Sequence, residues 1–149
     1  MYLPPFDSIL RALGLDRATY ARSRTVQMPK ALFKLLVEIA LEHSEFNEAG
    51  YLRDNPDVVD AIRKGDIDVP NALQHYIGYG YFEGRTGATP TVDERWYLAT
   101  YPDVAQGIKL GQVRSAREHY NAIGGAEGRS PSAAHQRVAE QWKKAFVKG

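Results

Sequence analysis

Apolar residues recur at intervals of three and four along most of this chain and rarely at two. That is the spacing of one face of a helix, not of a half-buried strand. Between Pro29 and His43, the residues Leu32, Phe33, Leu35, Leu36, Ile39 and Ala40 predict a single helix with a broad apolar face. A shorter helix is expected from Ser8 to Leu13, ended by Gly14. Residues 16–28 hold Arg17, Arg22 and Arg24 with little periodicity and read as a loop or arm. Near the other end Ser132 is placed to cap a helix in which Ala134, Val138, Trp142 and Phe146 fall at intervals of four. That stripe is narrow, and basic and polar positions, Lys143, Lys144 and Lys148 among them, surround it.

Between these helices one pattern occurs twice. Tyr51-Leu52, Pro56-Asp57-Val58, Ile62 and Gly65 match Tyr97-Leu98, Pro102-Asp103-Val104, Ile108 and Gly111, all 46 positions apart. Ala72, His75-Tyr76, Gly80 and Glu83-Gly84-Arg85 match Ala116, His119-Tyr120, Gly124 and Glu127-Gly128-Arg129, 44 apart. Spacing is rigid within each block, and a two-residue deletion falls between Gly111 and His119, as expected of packed helices joined by a loop.

Each copy reads as about three short helices. Asn47 and Asp93 suit helix caps, Pro56 and Pro102 suit first helical positions, and Asp57 and Asp103 favour the positive helix end. Asn55 is expected to cap the second helix of the first copy, and its counterpart Tyr101 to cap less well, by about 1 kcal/mol. Gly65 and Gly111 mark the ends of those helices, and Gly80 and Gly124 are expected to supply the left-handed stop of the third. The expectation is an all-α chain. An N-terminal arm and amphipathic helix take residues 1–45, two tandem repeats take 46–87 and 92–131, and a C-terminal helix takes 132–149.

The motif Tyr-Leu-x-x-Asn-Pro-Asp-Val, a glycine, then His-Tyr-x-x-x-Gly-x-x-Glu-Gly-Arg resembles a short bacterial repeat. That repeat occurs beside glycosyltransferase and methyltransferase domains in surface-polysaccharide proteins, and in some large surface or calcium-binding adhesins. The resemblance covers a little over half the chain. It implies a surface-polysaccharide setting and carries no catalytic residue with it. The second copy departs from the first at Asn55 (Tyr101) and at Tyr81-Phe82 (Gly125-Ala126).

Composition narrows the choices. With 149 residues the chain can bury about two thirds of its unfolded surface and needs no staple. Without cysteine it has no disulfide and no thiolate ligand or nucleophile. A net charge of +1 supplies no global attraction to nucleic acid, and the three arm arginines would add only a shallow salt dependence. The start shows no basic leader or long apolar run, so no signal peptide is expected and no membrane span either; the chain is expected to be made in the cytoplasm and released, if at all, within a particle or assembly.

His75 and His119, with Asp57, Glu83 and their twins, could suggest acid–base work. A whole site occurring twice in a small chain reads better as scaffolding, each histidine packing over its own turn and bonding a backbone carbonyl or the acid that opens the second helix. Arg85 and Arg129 could bind anions, but read better as partners of Asp57 and Asp103, costly to break (about 3–5 kcal/mol) if buried. The four histidines lack ligand spacing, so neither metal nor cofactor is expected. Tyr76 and Tyr120 belong to the core, whereas Tyr79, Tyr81 and Phe82, unmatched in the second copy, are candidates for a ligand or partner. Trp142, Phe146, Arg22 and Arg24 are candidates for contacts within an oligomer. The sequence thus points to a non-enzymatic structural and binding protein in a homo-oligomer or larger assembly, engaging cell-surface polysaccharide as a surface-layer or phage-like particle component would. The alternative is an accessory domain of a polysaccharide glycosyltransferase system.

Overall fold

A computed structural model describes residues 3–88 and 91–146, which include no strand; Lys148 lies outside the described residues. The chain divides into two compact units, one up to Ser44 and one from Glu45 onward.

The first unit holds α1 (Phe6–Ala12), α2 (Arg17–Arg22) and α3 (Lys30–Leu41). Helix α2 lies where the sequence suggested a loop or arm. The ties at its start are polar and it carries no apolar stripe, which is why apolar periodicity missed it: Asp16 accepts from the Thr19 N–H at 2.6 Å, and Arg17 grips Asp7 of α1 through Nε at 2.6 Å and Nη2 at 3.0 Å. Phe6 and Tyr20 meet edge to face at 5.1 Å. On α3 Leu41 is buried, while Phe33, Leu35 and Leu36 are exposed.

The second unit begins with α4 (Glu48–Asp54), α5 (Pro56–Lys64) and α6 (Ala72–His75), which runs into a π-helical turn, Tyr76–Gly80. The order recurs as α7 (Glu94–Thr100), α8 (Pro102–Lys109) and α9 (Ala116–His119), with a π-helical turn at Tyr120–Gly124. A single 3-10 turn, Ala133–His135, then leads into α10 (Gln136–Phe146). Side-chain caps start the helices where the sequence placed them: Asn47 accepts from Gly50 N–H and Asp93 from Trp96 N–H, both at 3.0 Å. Asn71 and Ser115 do the same for α6 and α9. Each such cap contributes about 1 kcal/mol. Ser132 does not cap α10; its Oγ lies 2.8 Å from Nδ1 of His135.

The left-handed stop falls four residues later than expected, at Gly84 (φ 71°) and Gly128 (φ 74°), not at Gly80 and Gly124. The N–H of Arg85 reaches the Gly80 carbonyl at 2.9 Å and that of Arg129 reaches Gly124 at 2.8 Å. These six-to-one bonds close the helix end over its orphan carbonyls, and only glycine takes the required φ without strain. Gly80 and Gly124 keep helical backbones and serve a different purpose, described below.

Matched residues fill the interior of this unit. Tyr51, Val58 and Ala72 are buried in the first segment, as are Tyr97, Val104 and Ala116 in the second. In the second, Trp96, Leu98, Tyr101, Ile108 and Tyr120 pack around Val92 and that trio. Each segment also ties its start to its end: Asn47 N–H bonds the Ala88 carbonyl at 3.3 Å, and Asp93 N–H bonds Pro131 at 3.0 Å.

Candidate functional site

The chemistry-bearing side chains of the second unit gather around the two π-helical turns. The Tyr51 hydroxyl and Nδ1 of His75 lie 2.8 Å apart, and Tyr97 and His119 make the same bond at 3.0 Å. Tyrosine, not the backbone carbonyl or acid anticipated from sequence, is the histidine's partner. All four side chains are buried. Burial pushes both phenols up to about 12, so their protons stay on. Burial, with the Arg85 charge in support, holds His75 below its usual range.

The tyrosine ring explains the glycine that the sequence assigned to a stop. A Cβ on Gly80 would overlap the Tyr51 hydroxyl, and one on Gly124 would overlap that of Tyr97. These glycines leave room for a phenol tip; they do not bend the chain.

A second cluster lies beside each pair. Arg85 donates through Nε to Glu83 and through Nη1 to Asp57, both at 2.6 Å. Arg129 donates to Glu127 at 2.6 Å and to Asp103 at 2.9 Å. The arginine bonds hold Asp57 and Asp103 below the usual carboxylate range. Asp57 is nonetheless 60% exposed, against 26% for Arg85, so solvent screens the pair and the large penalty envisaged for a buried one does not apply.

Asn55 and Tyr101 do not cap α5 and α8. Asn55 Nδ2 donates to the carbonyls of Tyr51 at 2.8 Å and Thr86 at 3.0 Å. Tyr101 instead accepts from the Ser130 N–H at 2.8 Å, with the Arg129 guanidinium 5.0 Å above its ring. Two different side chains thus tether the same turn to the same helix start, and the expected weakness of the second segment does not arise there.

Among the aromatic candidates, Tyr76 is buried, stacked on Phe46 at 5.4 Å and edge-on to Tyr51 at 5.3 Å. Tyr120 is half-buried. Tyr79 and Tyr81 expose 49% and 46% of their surface, and Phe82 meets Tyr81 edge to face at 5.5 Å. On α10, Val138, Trp142 and Phe146 all face solvent, with the two rings 5.7 Å apart. The helix lies against the second segment through another face: Gln136, Ala139, Glu140 and Lys143 border a recess of about 180 Å³ with Tyr101 and the 127–130 turn. A Cβ on Gly128 would meet Lys143 Cβ at 2.5 Å, whereas one on Gly84 would meet nothing within 4 Å. Arg22 and Arg24 are exposed in the first unit, apart from these clusters in sequence.

Among the described residues, no three His, Asp or Glu side chains are grouped to hold a metal ion, and no helix is long and apolar enough to cross a membrane. The same residues include no buried side-chain nitrogen or oxygen without a hydrogen-bond partner. Sequence reasoning missed the Tyr51–Gly80 and Tyr97–Gly124 fits, and the signal was available, since tyrosine, histidine and glycine recur together in both segments. It also missed the close approach of Gly50 to Gly87, where a Cβ on Gly50 would lie 2.6 Å from the Gly87 carbonyl oxygen. Compared with protein-family models, curated proteins and solved structures, the chain matches none.

Proposed function

We propose that this chain is a non-enzymatic structural protein, built from two tandem copies of one helical unit and working as part of an assembly. The observation that carries the reading is where the shared polar groups are spent. Each histidine is committed to a buried tyrosine, and each arginine to two carboxylates of its own segment. Catalysis needs a proton-transfer group within reach of substrate, and both imidazoles are enclosed. The test is paired replacement: His75→Gln and His119→Gln should each lower unfolding free energy and leave self-association of the folded chain unchanged. A folded variant that loses a turnover shown by the parent chain would sink the reading.

A second reading, that the chain engages surface polysaccharide, is favoured by the half-exposed rings of Tyr79 and Tyr81, the kind of platform on which sugar rings stack. The motif's resemblance to repeats of surface-polysaccharide proteins supports it. An attachment component of a surface layer or phage-like particle would use such a platform directly; an accessory domain of a glycosyltransferase system would use it to hold the growing chain. Titration with purified capsular polysaccharides should show binding that Tyr79→Ser and Tyr81→Ser both weaken. Equal binding by the parent chain and both variants would remove this reading.

A further inference from the structure

We infer that copies of this chain associate head to tail, the outward stripe of α10 from one copy seating on the Tyr79–Phe82 face of the next. The inference rests on the assembly reading above and names the partner of that face. Three observations support it together.

The first is a pair of apolar faces on one chain. Trp142 is 58% exposed, and Val138 and Phe146 continue its stripe along α10. Tyr79 and Tyr81 stand out from the π-helical turn of the first segment. Exposed aromatic and aliphatic clusters of this kind are what protein partners cover.

The second is charge. The first segment, residues 46–87, holds seven carboxylates and four Lys or Arg, for a net −3, whereas residues 92–131 hold five of each. Helix α10 holds three Lys or Arg and one Glu, for a net +2. Glu83 follows the aromatic residues directly, and Asp57 joins it through Arg85; both carboxylates remain about half exposed or more. Lys143 and Lys144 follow Trp142 directly, Lys143 lying over its own Gly128 turn. A basic stripe pairing with another basic stripe is disfavoured, and a basic stripe on an acidic aromatic face is favoured.

The third is the difference between the two glycine turns. Lys143 of α10 covers Gly128 of its own second segment, while the Gly84 turn is open. The first segment therefore has an uncovered turn beside its aromatic residues where the second has a helix. Faces that differ make a heterologous contact, and such contacts extend into rings or filaments. The stripe is short, so the buried area falls at the low end for protein interfaces and association is weak and concentration-dependent.

Sedimentation equilibrium on the full chain tests this with two faces broken separately. Trp142→Glu removes the stripe and Tyr81→Glu removes the seat. Each variant alone should be monomeric, and an equimolar mixture should form a complex of two chains, because each supplies the face the other lacks. Circular dichroism checks folding, with Tyr79→Glu as the second seat variant should Tyr81→Glu unfold. Lys144→Glu should weaken association at least about tenfold, and added salt should weaken it too. If the wild type associates and Tyr81→Glu and Tyr79→Glu associate equally well, the inference falls and the assembly reading stands. A wild type that stays monomeric overturns both; polysaccharide binding lost in Tyr81→Ser would then assign the face to sugar.

Discussion

The hydroxyl of Tyr51 occupies the space that a side chain at residue 80 would need: a Cβ on Gly80 would overlap it, and its ring carbon Cζ would still be only 3.0 Å away. Because the hydroxyl is also bonded to His75, one tyrosine fixes the separation of α4 from the π-helical turn that follows α6. Gly80→Ala should therefore destabilise the chain by about 1–3 kcal/mol through overpacking. Gly84→Ala, with open space but φ 71°, should cost about 1–2 kcal/mol through backbone strain alone. Urea unfolding separates the mechanisms. Tyr51→Phe should absorb part of the Gly80→Ala loss in a double-mutant cycle and none of the Gly84→Ala loss.

Removing the hydroxyl by itself has a different consequence. Tyr51→Phe leaves Nδ1 of buried His75 without its partner, a loss of about 1–3 kcal/mol. Tyr97→Phe should behave alike through His119. Denaturation midpoints of the two variants should fall together; a loss confined to one would mean that the two pairs carry unequal loads.

Acid should act in two stages. His75 is held below 6.5, so the unfolded chain takes up its proton first; that contribution to stability is whole above 6.5 and declines as pH falls toward the lowered folded value. Asp57 and Asp103 are held below 3.8, so theirs is whole above 3.8 and declines beneath it, by a small amount because both carboxylates are exposed. Stability measured from about pH 8 down to 3 should show both declines, and His75→Gln should flatten the upper one.

Arginine at 85 and 129 should not be exchangeable for lysine, because one planar fork serves two carboxylates at once. Arg85→Lys should cost about 1 kcal/mol in this solvent-screened setting. Arg129→Lys should cost more, since it also thins the contact with the Tyr101 ring. Unfolding in low and high salt would check both, and the Arg85 effect should shrink as salt rises.

Much of this architecture is readable without coordinates. Periodicity places α3 and α10, polar caps before Tyr51 and Trp96 start α4 and α7, and prolines open α5 and α8, because these are local preferences expressed within one or two turns. The pairing of Arg85 with Asp57 was visible because the same four residues recur at matching positions. Helix α2 was not visible, since an ion pair across ten residues, one capping aspartate and a single ring contact from Tyr20 to Phe6 hold it, with no apolar stripe to give it away.

What the amino-acid order determined is therefore most of the helices, the starts of those opened by a proline or a polar cap, and the pairing of Arg85 and Arg129 with Asp57 and Asp103. Tertiary structure alone decided what Gly80, Gly84, Gly124 and Gly128 are for, that Asn55 and Tyr101 tether a turn when a cap was expected, and that the apolar stripe of α10 faces water while a neighbouring face covers Gly128. The physical reason is range. Capping and periodicity are settled between residues three or four apart, whereas steric room and solvent exposure depend on atoms that the chain brings together from fifteen or more residues away.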